Sequence, residues 1–273
     1  MDIEDVLSLR DRVRWGSQER ITITLLLNET TFEYVRIYDL EQIREYPYVK
    51  SIIIAGLKQA DFERFITDFA NQFEVIQFWK CPYISDLTSL ETLRNVKFIT
   101  YFWNQRATRL WDMSSNRSLI GLEFECFTRM HLLDDIMTAE NLRYLVLDRG
   151  IALGNYSISS LWPLIKCKSL EYLSFNTFIE DHNPMPLLQI SNLKELIFPT
   201  NMFTTEEIAM LTAKLPNVEC NAFVPYICFD SITGKSVLIV GKRKPWLDPD
   251  KDAKRIDKYK KQFETLVEKY KQS

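Results

Sequence analysis

Residues 73–81 read FEVIQFWKC, and residues 96–104 read VKFITYFWN. In both, apolar side chains stand at the first, fourth and sixth positions, and the ninth is Cys or Asn. Working outward, the same i, i+3, i+5 template fits FEYVRI from Phe32, VKSIII from Val49, LIGLEF from Leu119, LRYLVL from Leu142, LEYLSF from Leu170 and LKELIF from Leu193. The intervals between successive starts are 17, 24, 23, 23, 23, 28 and 23. At 46% hydrophobic composition, about 11 of the 24 template positions would be apolar by chance. All 24 are. A near-constant period of this size marks units that bury their apolar side only by stacking on neighbours.

On these residues the chain resembles the leucine-rich repeat family, whose motif L-x-x-L-x-L-x-x-N/C-x-L recurs with a period in the twenties. The resemblance spans residues 32–201 and implies an α/β solenoid, a curved parallel sheet of about eight irregular repeats with a cap at each end. Aromatic and β-branched residues replace Leu at many template positions, and the segment LDRGIALGNYSISSLWPLIK lengthens one repeat beyond the others. At i+8, Cys81, Asn104 and Asn201 follow the motif, whereas Leu40, Leu57, Phe127, Gly150 and Phe178 depart from it. An antiparallel meander would need closely spaced hairpin signals such as Asn-Gly or Asp-Gly, and the repeat region has none.

The flanks divide the rest of the chain. Residues 1–31, with an early helix and the strand-like ITITLLLN, are expected to form the N-terminal cap, and residues 32–203 the solenoid. Residues 204–241 read as a C-terminal cap: a helix opened by Thr204 or Thr205, with Glu207 in capping-box position, then a hairpin turning at Gly234. Residues 242–273 read as a helix with Asp248 as N-cap and Pro249 at its first position, docked on the solenoid through Ile256, Tyr259 and Phe263. Residues 242–271 carry 11 Lys/Arg against 6 Asp/Glu. These charges alternate around one apolar stripe, which reads as the solvated side of a docking helix.

Composition excludes several classes. The net charge of -3 over 273 residues exerts no pull toward nucleic acid or an anionic membrane, and only 7 glycines leave little material for phosphate-cradling loops. Gly234-Lys235-Ser236 lacks the upstream glycine of a P-loop, Phe229 standing in its place. Five cysteines with no CxxC pair point to reduced thiols. The acidic N-terminal stretch is unlike a secretory signal, and no apolar run reaches membrane-spanning length, so a cytoplasmic location is expected. His131 and His182 lack metal-ligand spacing, no G-x-S-x-G elbow occurs, and no cofactor, metal or catalytic residue is expected. Cys81 reads as packed; Cys126, just after a strand, reads as accessible.

Alternation along a strand turns i+2, i+4 and i+6 away from the interior. That face gathers Tyr34, Tyr38, Trp79, Phe98, Phe102, Tyr144 and Tyr172, with Trp103 at i+7 and the carboxylates Glu123, Glu125 and Asp148. Aromatic anchors among polar groups are the make-up of a protein contact surface. The expectation is a non-catalytic module that binds a protein partner, or a second copy of the chain, through its concave face, as the family resemblance also implies. The competing expectation is an enzyme or enzyme subunit with an acidic site at Glu123, Glu125 and Asp148.

Overall fold

The computed structural model describes residues 3–14, 21–26, 32–150, 156–231 and 234–273. Helix α1 (Ile3–Arg14) precedes β1 (Ile21–Leu26), β2 (Phe32–Ile37), β3 (Ser51–Ala55), α2 (Gln59–Asp68), β4 (Val75–Trp79), β5 (Phe98–Asn104), β6 (Gly121–Phe127) and β7 (Tyr144–Asp148). Then come β8 (Ser157–Ile158), β9 (Tyr172–Asn176), β10 (Phe178–Ile179), β11 (Glu195–Ile197), α3 (Thr205–Lys214), β12 (Glu219–Cys220), β13 (Tyr226–Ser231), β14 (Gly234–Ile239), β15 (Trp246–Leu247) and α4 (Ala253–Gln272).

Each template segment from Val49 to Leu193 supplies one strand, and these strands run parallel in the order β3-β4-β5-β6-β7-β9-β11, with β12 beyond. Register is unbroken: Val75 lies opposite Phe98, Gly121, Tyr144, Tyr172 and Glu195 on successive strands. The template residues point to one side and are sealed there, Ile76 and Phe78, Leu122 and Phe124, Leu145 and Leu147 all being 0% exposed. Short 3-10 helices such as Thr88–Thr92, Asp134–Thr138 and Trp162–Lys166, and helix α2 in one repeat, close that side with Leu90, Ile136, Leu164 and Phe62.

A recurrent turn ends the strands. Gly56, Lys80, Trp103 and Cys126, each at i+7, take positive φ (47° to 70°), so the chain bends and i+8 returns inward. Leu57, Cys81, Asn104 and Phe127 are buried as a result. Asn104 satisfies the freed backbone: its Oδ1 accepts from Arg106 N and Ala107 N, and its Nδ2 donates to Ile84 O at 2.9 Å. This is the physical content of an Asn at the ninth motif position.

The first template segment, FEYVRI, is not a solenoid strand. It forms β2, antiparallel to β1, and β1 in turn pairs antiparallel with β3, so the two close one edge of the sheet as a hairpin. The connection from β2 to β3 is shorter than any between successive solenoid strands, and the neighbouring strand ITITLL supplies a nearer partner. An exposed parallel edge invites association, and an antiparallel hairpin blunts it. At the other end α3 opens with a capping box, Glu207 N donating to Thr204 Oγ1 at 3.2 Å and Thr204 N to Glu207 Oε2 at 2.8 Å. Strands β13, β14 and β15 form a separate antiparallel sheet, with residues 232–233 of its first turn outside the described residues.

Helix α4 lies against α3 and this small sheet. Phe263 and Val267 are buried, Ile256 and Tyr259 pack on Val237, Ile239 and Leu247, and Tyr270 Oη donates to Glu206 at 2.8 Å. The helix starts at Ala253, later than the N-cap expected at Asp248. That carboxylate instead folds the preceding loop, accepting from Asp250 N at 2.9 Å and Lys251 N at 3.1 Å, and Asp252 occupies the cap position.

Candidate binding face

The sheet face turned away from the repeat returns is divided in two. Across the first halves of the strands lies α1, whose Val6, Leu9 and Val13 fall on one side of a helix and are 0%, 4% and 0% exposed. They cover Ile53, Val75, Phe98, Tyr144, Val146 and Tyr172. Glu4 and Asp5 in the first turn of α1 favour its positive end. Arg10 Nη1 donates to Tyr144 Oη at 3.2 Å, and Arg10 also pairs with Asp11 at 3.0 Å. Gly121 makes this layer possible, since a Cβ there would overlap the ring of Phe98. That ring leans over β6 to meet Tyr144 at 5.5 Å, and Tyr144 stacks on Tyr172 at 4.5 Å.

Two expectations change here. The N-terminal helix does not cap the end of the solenoid: the β1–β2 hairpin does that, and the apolar stripe of α1 finds the aliphatic and aromatic members of the i+2 and i+4 columns instead. Phe98, Tyr144 and Tyr172 therefore face outward from the sheet without facing solvent, and burial pushes the Tyr144 hydroxyl well above its ordinary pKa. Tyr34 and Tyr38 leave the group for a second reason, because β1 intervenes between their strand and the parallel sheet. Tyr38 is exposed on the hairpin side, and the side chain of Tyr34 lies outside the described residues.

The strand ends stay partly open, with Trp79 packed against the edge of the α1 cluster. The i+6 residues Trp79, Phe102, Glu125, Asp148 and Asn176 stand in register on adjacent strands. Trp79 and Phe102 stack at 4.0 Å between centroids and are partly exposed, the Lys80 ammonium lies 5.8 Å from the Trp79 ring, and Trp103 beside them is 37% exposed. Further along, Asp148 Oδ1 accepts from Gly150 N at 2.8 Å and from Asn176 Nδ2 at 3.3 Å. Glu125, partly buried beside Asp148 and Glu123, has its carboxyl raised to about 7, chiefly by burial and then by those two charges.

Cys126 is not accessible. Its left-handed backbone tucks the thiol inward to donate to Arg149 O at 3.1 Å, and burial raises its pKa to about 11. Cys81 is buried and accepts from Leu57 N. One meeting has no sequence signal, because its members lie in three repeats: His131 Nδ1 stands 3.0 Å from Ser157 Oγ and 3.2 Å from Glu180 Oε1. Serine and carboxylate share one ring nitrogen there, so the imidazole does not bridge them as a proton relay requires. Among the described residues no cluster of His, Cys, Asp and Glu is placed to hold a metal ion, and no helix is long and apolar enough to cross a membrane.

In-register parallel strands, a near-constant repeat period and a left-handed turn after four successive strands decide the architecture. The chain is a leucine-rich repeat solenoid. No protein-family model matches it, and no curated protein matches it in sequence. Among solved structures, this leucine-rich repeat chain is similar to internalin C2 of Listeria monocytogenes, with 18% identity, 71% of this chain and 75% of that one covered, and a TM-score of 0.45. It is also similar to the internalin inlF of the same species, with 16% identity, 71% and 64% covered, and a TM-score of 0.38.

Proposed function

We propose that this leucine-rich repeat chain is a non-catalytic binding module that holds a protein partner along the open strand ends of its inner face. The observation that carries this reading is the stacked, half-open Trp79–Phe102 pair beside Trp103, continued by Glu123, Glu125 and Asp148. Large rings at the centre of such a strip supply contact energy, and the carboxylates select a partner with Lys or Arg at matching positions. Residues 1–241 together carry a net charge of -8, given -3 for the chain and +5 for residues 242–271, which adds long-range attraction for a basic partner. Cysteines free at all five positions fit a reducing compartment, and the proposed location is the cytoplasm.

The test is capture from the source cell by the wild-type chain and by the Trp79→Ala/Phe102→Ala variant. The variant is expected to keep its fold and lose the captured protein, whereas retention would move the binding surface elsewhere. Sedimentation of both chains identifies the case in which the partner is a second copy. A second reading, an enzyme using the acidic group, draws on one observation: a carboxyl near 7 lies in the range of a general acid or base. A small substrate of that enzyme should raise the melting temperature of wild type and not of Glu125→Gln.

A further inference from the structure

The row of strand ends changes character after Asp148. Past Asn176 it opens into a cavity of about 300 Å³ formed by the end of β7, the β9–β10 corner, the loop after β11 and the segment after β14. Its floor is apolar, with Ile179 and Phe203 each 2% exposed, and Phe178 forms one wall. All the charge in its lining is basic, Arg149 and Lys242, with the imidazole of His182 in the same lining.

In a chain with more acids than bases, that is an unusual lining. The Arg149 guanidinium sits 5.2 Å from the Phe178 ring and forms neither an ion pair nor a hydrogen bond with a described residue. The side chains of Lys242, His182 and Asn201 likewise have no partner among the described residues, although all three reach the same cavity. Their backbones are held. Lys242 N donates to Phe203 O at 2.7 Å, Gly241 N to Thr200 O at 2.8 Å, and His182 N to Ile179 O at 3.2 Å. Gly241 must be glycine, because at its φ of +126° a Cβ would collide with Thr205.

We infer that this cavity is a binding site for a phosphomonoester carried on an aromatic group. Two cations lining one cavity match a dianionic phosphate better than a single carboxylate, an Arg can hold it through two parallel donors, and the apolar floor with Phe178 accepts a ring. The volume suits one small ligand, at the lower end of the range of about 300 to 1,000 Å³ for small-molecule sites. This site does not rest on the Trp79–Phe102 strip and stands if that strip proves idle.

Calorimetric titration of the full chain with phenyl phosphate, phenol and inorganic phosphate tests it. Phenyl phosphate should bind at least about tenfold more tightly than either fragment, with affinity falling as salt is raised. Arg149→Ala and Lys242→Ala, both surface changes, should each lower that affinity about tenfold or more with the melting temperature kept, and Trp79→Ala should leave it unchanged. Phosphotyrosine and a purine nucleoside monophosphate, titrated in parallel, distinguish a modified side chain from a free nucleotide as the source of the phosphate. Undetectable binding of all the phosphates at millimolar concentration, or equal binding by the Arg149→Ala/Lys242→Ala chain, would overturn the site.

Discussion

The same seven parallel strands carry two aromatic layers on one face, and only one of them meets solvent. Near the strand starts, Phe98, Tyr144 and Tyr172 lie among Ser51, Ile53, Val75, Gln77, Thr100 and Val146, with one carboxylate, Glu123, in register between Thr100 and Val146, and α1 covers the apolar members of the set. At the strand ends, Trp79 and Phe102 share their row with Glu125 and Asp148 and remain partly open. Covering the first group removes apolar area from water and buries only uncharged polar groups with it, Gln77 Oε1 among them without a hydrogen-bond partner among the described residues. Covering the second would strip water from two neighbouring carboxylates, which is expensive without a cationic partner. The adjacent carboxylate pair Glu125 and Asp148, more than ring content, thus separates what the chain can seal for itself from what it leaves for another molecule.

The largest effect that can break this contrast lies in α1. Leu9→Ala removes a side chain that is 4% exposed and should cost about 2–5 kcal/mol, in the manner of other large-to-small core changes. Leu9→Asp should release the helix and expose Phe98 and Tyr144, seen as a lower melting temperature and increased binding of a hydrophobic dye. If Leu9→Asp melts as wild type does, α1 is not part of the folded layer, and the two halves of the face are equally open.

That layer shows where sequence reading stops. Template positions such as Ile76 and Phe78 are legible because alternation fixes their side of the strand, and the repeat period fixes their neighbours across the sheet. The same template passes FEYVRI, since period-2 alternation looks alike in parallel and antiparallel strands; only the competing partner β1 decides. The outward columns are legible too, register included. Their cover is not, because α1 meets strands far along the chain, and the spacing of Val6, Leu9 and Val13 tells that a face is buried without telling against what. The basic cavity is hidden for the same reason: Arg149, His182, Asn201 and Lys242 share no motif and meet only through the fold.

A smaller effect is expected at the open strip. Trp79→Ala should cost about 1 kcal/mol of stability, since a partly exposed ring has already kept part of its contact with water, whereas Leu9→Ala costs several times that. Chemical denaturation of the two variants, compared at equal m-value, measures the ratio. A Trp79→Ala cost equal to or above that of Leu9→Ala would place this ring in the core and erase the distinction between the layers.

The smallest effect sharpens the electrostatic half of the contrast. Glu125 has a folded pKa of about 7 against an ordinary 4.5, so between those values the folded chain holds a proton that the unfolded chain has released. Stability from this group therefore falls as pH rises through that window, and the full penalty is present above about pH 7. Glu125→Gln removes the ionisation. It should stabilise the chain at pH 8 by roughly 1 kcal/mol, the shift being discounted for the partial exposure of the carboxyl, with the gain fading to nothing by about pH 4.5. Asp148→Asn should reproduce part of this gain by lowering the pKa of Glu125, because burial is the larger cause of the shift and the Asp148 charge the next. Melting curves of the three chains between pH 4.5 and 8 decide it. A gain for Glu125→Gln that is independent of pH would mean the carboxyl titrates normally, and the strip would then be open because α1 is too short to cover it, with desolvation of its acids playing no part.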